Sequence, residues 1–227
     1  MKLINKAKNL AMAALMATPL AADGLRIGQK GPTNLQLQNV TTHNVDKKST
    51  STNIAIKYWD KNKWVVVSQP YVWAKDKEGT GDLTVIAGPR GDHGSFHYNS
   101  FAGATLPTGK VSSERTTVRA GLFATKTFLD DKFEADVAVQ GNFPLPDKGL
   151  RAPNSYKTSL VVGGKLSKTW EAGVGFRNTH VKGENKRAAI GVLRKYFPVK
   201  GKPHAEFRIN KDIDGGYLGQ VILRYNF

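Results

Sequence analysis

Charged side chains recur at every second position of short segments whose other positions are apolar. On the basic side stand Lys57, Arg119, Lys157, Lys165, Arg177, Arg208 and Arg224; on the acidic side stand Asp82, Glu134, Asp136, Glu171 and Glu206. A spacing of two puts such residues on one face of a strand. Opposite charges on neighbouring strands pair across the ladder. A face of this kind fills an interior with ion pairs, or it lines a passage where an excess of basic groups favours anionic solutes.

Catalytic or metal chemistry has less to work with. The histidines are His43, His93, His97, His180 and His204, and none sits in a metal spacing such as HExxH. His93 and His97 flank Gly94 and read as solvated turn residues. A lipid-modifying enzyme would need Ser or Asp beside a His at an outer rim, and His180, preceded by Asn178 and Thr179, is the candidate. There is no Cys, which excludes disulfides, thiolate metal sites and Cys nucleophiles. Gly163-Gly164 and Gly173-Val174-Gly175 follow the strand period and ease close packing of a wall rather than cradle a phosphate. No enzymatic activity, cofactor or metal is expected.

The elements that must position these charges are strands. In the last eleven residues, Tyr217, Gly219, Val221, Leu223, Tyr225 and Phe227 alternate with Leu218, Gln220, Ile222, Arg224 and Asn226. An apolar face capped by aromatics, opposite a face with Arg, Gln and Asn, suits a strand between lipid and a polar lumen. This ending resembles the C-terminal strand of bacterial outer-membrane β-barrels. The resemblance implies that Tyr225 and Phe227 form a signal read by the barrel-assembly machinery.

The N-terminus has the order of a secretory signal. Lys2, Lys6 and Lys8 precede the apolar run 10–17, and small residues end at Ala22. The run is far shorter than the ~20 residues of a membrane helix. Residues 1–22 are therefore expected to be a signal peptide and 23–227 one outer-membrane β-barrel domain. Without the three leader lysines the formal charge falls from +16 to +13. So basic a chain suggests nucleic acid, but export and the lack of any dense Lys/Arg block argue against it. A basic lumen, or loops on anionic headgroups, accounts for the charge instead.

Turn residues punctuate the chain every ~15 residues. They predict strands at 33–41, 51–59, 63–74, 81–90, 95–106, 115–129, 132–143, 155–167, 169–180, 187–198, 202–211 and 216–227. The fold class is thus all-β: a closed antiparallel transmembrane barrel of about twelve strands. Ten strands with an N-terminal extension is the alternative, because 33–41 is polar. In 63–74, Val65-Val66-Val67 does not alternate in polarity, and Pro70 lacks a ladder donor. Tight turns at 60–63, 91–94, 130–132, 167–168 and 199–202 alternate with longer loops at 42–50, 75–80, 107–114, 144–154 and 181–186; 211–215 is short. Short periplasmic turns and long external loops characterise outer-membrane barrels. Tyr58, Trp59, Trp64, Phe96, Phe128, Phe133, Trp170, Tyr196, Phe197, Tyr225 and Phe227 lie beside the short turns or at the C-terminus and predict one interfacial girdle. Tyr71, Trp73, Phe143, Tyr156 and Tyr217 predict the other.

Gly79-Thr-Gly-Asp-Leu-Thr-Val-Ile-Ala-Gly-Pro-Arg90, followed by Ser100-Phe-Ala-Gly-Ala-Thr-Leu-Pro-Thr-Gly-Lys110, resembles the outer-membrane channel family of phenol-degradation pathways. The resemblance implies adjacent wall strands, an external loop opened by Leu-Pro-Thr-Gly, and transport of small, often hydrophobic molecules. The expected function is a passive channel or transporter for small solutes in the outer membrane of a Gram-negative cell. The alternatives are a structural or partner-binding barrel without an open pore, and a lipid-modifying barrel enzyme. The expected partners are outer-membrane lipid, the assembly machinery and small anionic or hydrophobic solutes, with no nucleic acid, for a monomer.

Overall fold

The computed structural model describes residues 35–46, 48–74, 77–146, 152–199, 203–213 and 215–226. The expected signal peptide, the start of the first predicted strand and Phe227 lie outside them. The strands are β1 (Leu35–Asn44), β2 (Ser49–Trp59), β3 (Lys63–Ala74), β4 (Lys77–Thr80), β5 (Leu83–His93), β6 (Phe96–Leu106), β7 (Thr117–Phe128), β8 (Phe133–Pro144), β9 (Ser155–Lys165), β10 (Trp170–Val181), β11 (Glu184–Tyr196), β12 (His204–Asp212) and β13 (Tyr217–Asn226). All pairings are antiparallel, and β1 pairs with both β13 and β2 while β2 pairs with β3, which closes the sheet on itself. The polar first strand is therefore a wall strand, which rules out the ten-strand alternative. Its alternating inward residues are Gln36, Gln38, Val40 and Thr42, all buried.

β4 and β5 both pair with β3, at Tyr71↔Thr80 and Ser68↔Thr84, so Gly81-Asp82 adds one residue between them. They form a single wall strand with a bulge, and the barrel has twelve wall strands. The bulge meets Pro70: Gly81 N–H donates to the Pro70 carbonyl at 2.7 Å. A strand residue's N and O face the same neighbour, so the donor that Pro70 lacks falls where the ladder is already interrupted. Val65, Val66 and Val67 do alternate in direction. Val66 is buried inside and Val67 is exposed outside; the run is uniformly apolar because the interior there is apolar too.

The outer surface is an apolar belt. Ile54, Ile56, Leu122, Val137, Val139, Val162, Val174, Phe176, Phe207, Ile209, Val221 and Leu223 all point outward and are exposed. A closed sheet leaves no backbone edge unpaired in hydrocarbon, and among the described residues no helix is long and apolar enough to cross a membrane. Tyr58, Phe96, Phe128, Phe133 and Tyr225 ring one end on the outside, and Trp73, Tyr156 and Tyr217 the other. Trp59, Trp64 and Tyr196 depart from the predicted girdle. Their strand parity matches inward Lys57, Val66 and Arg194, so proximity to a turn did not decide their face. A closed barrel with this belt and these girdles is an outer-membrane β-barrel.

Connection lengths also differ from the predicted alternation. Residues 107–116 and 145–154 are long and lie at one end. At the same end, however, β10 and β11 join through only Lys182-Gly183, both at positive φ (54° and 84°). That is the backbone of a tight primed hairpin turn. The asymmetry thus rests on two loops, which mark the external end. At the opposite end, Asp60 accepts the N–H groups of Asn62 and Lys63, each at 2.9 Å. The Asn62 bond, first among its causes, holds the Asp60 carboxyl below its usual range.

Candidate functional site

Half of the barrel interior is an ionic network centred on Arg194 of β11. Register places Arg194 opposite Glu171 of β10 and opposite Glu206 of β12. Its Nε donates to Glu206 Oε2 at 3.0 Å, and its Nη1 to Glu171 Oε2 at 2.9 Å and to Glu134 Oε1 of β8 at 3.3 Å. Tyr196 joins from the same strand: its hydroxyl accepts from Arg194 and donates to Glu171 at 2.7 Å. Glu206, at 0 % exposure, also accepts from Arg208 at 2.8 Å and Arg224 at 3.5 Å. Beside it, Asp136 accepts the Thr125 hydroxyl at 2.6 Å. Arg224 meets His204 Nε2 at 2.9 Å.

The other half is aromatic. Trp64, Phe101 and Phe123 pack as a cluster with Val66, Ile86, Ala55 and Ala138. Phe101 and Phe123 stack at 4.9 Å, and Trp64 meets them at 6.0 and 6.3 Å. Trp64 Nε1 donates to the Ser100 carbonyl at 3.0 Å. Lys57 holds its ammonium 5.3 Å from the Trp64 ring and 5.7 Å from Trp59. The interior is therefore two-faced: the carboxylate–guanidinium network lies on the β8–β13 wall and the aromatic cluster on the β2–β7 wall, where Lys57, Asp82, Arg90 and Arg119 are also buried.

The remaining predicted charges lie on inward positions at other heights. Arg119 is buried toward the external end, at 1 % exposure. Lys157 and Arg177 are only partly buried on the same side, with Arg177 3.9 Å from Asp212. Lys165 is exposed at the short-turn end. The structure thus gathers Glu134, Glu171, Glu206, Arg208 and Arg224 into one network and leaves Lys157, Lys165 and Arg177 at the mouths.

Asp82 has a separate role. The β6–β7 loop, 107–116, folds onto the bulge: Ser113 donates to Asp82 Oδ2 through its N–H at 2.8 Å and its hydroxyl at 2.6 Å. Val111 N–H donates to the Thr80 carbonyl at 2.8 Å, and Leu83 N–H to the Thr108 hydroxyl at 3.1 Å. Gly109 lies so close to the Gly81 carbonyl that a Cβ would fall on it. The two motif segments, Gly79–Arg90 and Ser100–Lys110, are therefore one packed unit. Gly109→Ala should lift this loop, lower stability by about 1–3 kcal/mol and open 107–116 to protease. Unchanged cleavage in a folded barrel would rule out the pinned loop.

The histidines divide. His97 is no free turn residue: its Nδ1 is 2.7 Å from Asp92 Oδ1, and Arg90 reaches Asp92 Oδ2 at 2.9 Å. His180 faces outward, with Nδ1 3.1 Å from Asn185 Oδ1 and its ring 6.5 Å from Tyr156. The hydrogen bond recorded for its ring goes to an amide, not to the Ser or Asp that a lipid-modifying site would need.

Arg194, the hub, was missed by sequence reasoning, as were Tyr196, Arg90 and the inward Trp64–Phe101–Phe123 cluster. Arg194 shares its inward face with Ala188, Ile190 and Val192, while Ala189, Gly191 and Leu193 face outward; both faces are apolar, so parity did not mark it. Nothing local marks Trp64, because an aromatic beside a turn fits either face.

No protein-family model matches the chain, and no curated protein matches it. Solved structures do. A NanC porin superposes with a TM-score of 0.64 at 8% identity, over 84% of this chain and 100% of that one. A KdgM porin gives 0.63 at 10% identity, over 85% and 99%. An outer-membrane channel from Pseudomonas putida F1 gives 0.57 at 14% identity, over 85% and 93%. At these identities the likeness is one of fold, and the fold is that of outer-membrane porin and channel barrels.

Proposed function

We propose that this protein is a passive outer-membrane channel for small solutes. The observation that carries the reading is the charge on inward positions from one mouth to the other. Buried ion pairs are seldom the most stabilising way to fill an interior; apolar side chains of similar volume often do as well or better. Lys157 and Arg177 at the external mouth and Lys165 at the other bias entry toward anions. The aromatic half, with the resemblance of 79–110 to the phenol-degradation channels, supports small solutes that carry an apolar face. Tyr225 on the last strand serves the assembly machinery in this reading, and the barrel acts as a monomer.

A second reading has its own observation. Glu206, Arg194 and Trp64, at 0, 4 and 3 % exposure, are packed as a protein core is packed. That favours a structural barrel without conduction. Single-channel recording in a planar bilayer under a salt gradient separates the two. The channel reading expects conductance steps with an anion-shifted reversal potential, and K157Q/R177Q should shrink that shift severalfold. A folded but silent barrel overturns it in favour of the structural one.

A further inference from the structure

We infer that the outer face of β11–β13 at the external rim is a binding site for the phosphate of an outer-leaflet lipid headgroup, with Arg187 and Lys211 as its cations. Strand parity points both residues outward, and both are exposed. Arg187 lies opposite Asn178 on β10, while Lys211 lies opposite Ala189 on β11. The two cations are thus diagonal neighbours on adjacent strands, a separation that long side chains span. Lys211 holds its ammonium 5.4 Å from the Tyr217 ring, on the outer surface.

Neither cation forms an ion pair with a carboxylate among the described residues. Immediately below them, toward the membrane centre, the same strands present Leu193, Phe207, Ile209 and Val221 to hydrocarbon. The pair therefore sits at the headgroup layer, where the available counter-charge is a lipid phosphate. Asn178 and Asn185 stand beside it, joined by a 3.4 Å hydrogen bond, and add polar groups suited to a sugar phosphate. The site is confined to one wall. At the same end of the opposite wall the described outward residues are Tyr71, Trp73, Glu78, Thr80, Leu83, Leu106 and Val118, with no cation among them. This asymmetry argues for a seat for one kind of lipid rather than a general basic rim, and it holds whether or not the barrel conducts.

The test is a native mass spectrometry titration of the refolded chain in non-ionic detergent with lipid A, a phosphorylated and acylated disaccharide. R187Q/K211Q should weaken binding at least tenfold, and dephosphorylated lipid A should bind the unaltered protein at least tenfold more weakly. K126Q/K195Q, outward lysines at the opposite rim, should leave affinity unchanged. Equal affinity in R187Q/K211Q, an equal loss in K126Q/K195Q, or equal binding of the dephosphorylated lipid each overturns the proposal. Competition by inorganic phosphate at the lipid's own concentration would also overturn it, as a site for free phosphate. The comparison of the two lipids on unaltered protein stands even if a variant fails to fold.

Discussion

Arg194→Met is expected to be strongly destabilising. The guanidinium is shared by Glu134, Glu171 and Glu206, all nearly out of reach of water. Removing one partner of a buried ionic network costs about 3–5 kcal/mol, because the remaining charges keep their desolvation penalty and lose the attraction that offset it. The expected readout is a large drop in the urea midpoint of the refolded protein, with loss of heat-modifiable migration. The mechanism predicts non-additivity: E171Q/R194M should be less destabilised than the sum of its single substitutions, by about 0.5–3 kcal/mol. A loss below about 1 kcal/mol for R194M would mean that water enters the network and screens it.

Trp64→Ala is expected to cost about 3–5 kcal/mol, the range for deleting a buried Trp and leaving a cavity. The side chain is buried among Phe101, Phe123 and the Lys57 ammonium, and its indole N–H is bonded to the Ser100 carbonyl. Trp64→Phe keeps the ring packing and loses that hydrogen bond, so it should cost about 0.5–1.5 kcal/mol. A girdle tryptophan facing lipid would leave no internal cavity and would tolerate Phe with little change. In the channel reading, W64A should also raise unit conductance, since the void opens beside the ionic network. Equal urea midpoints for W64A and the unaltered protein would return Trp64 to the membrane interface.

Period-two alternation was legible wherever the two faces differ in polarity. In β8 and β13 the outward Val137, Val139, Val221 and Leu223 stand against inward Glu134, Asp136, Gln140, Gln220 and Arg224, so strand, face and environment follow together. It failed where both faces are apolar, as at Val65-Val66-Val67, because parity then carries no polarity signal. Trp59, Trp64 and Tyr196 failed for a related reason: a ring near a strand end suits the interface and the interior equally.

The amino-acid order by itself determined that this chain builds an antiparallel barrel with charge inside, since alternation and turn residues are local properties of the backbone. Only the tertiary structure decided which charges meet. Closure and register bring Arg194 to Glu134 across intervening strands, set the aromatic cluster opposite the ionic one, and lay Ser113 on Asp82 across 31 positions of chain. Such contacts depend on how the sheet closes on itself, which no local pattern encodes.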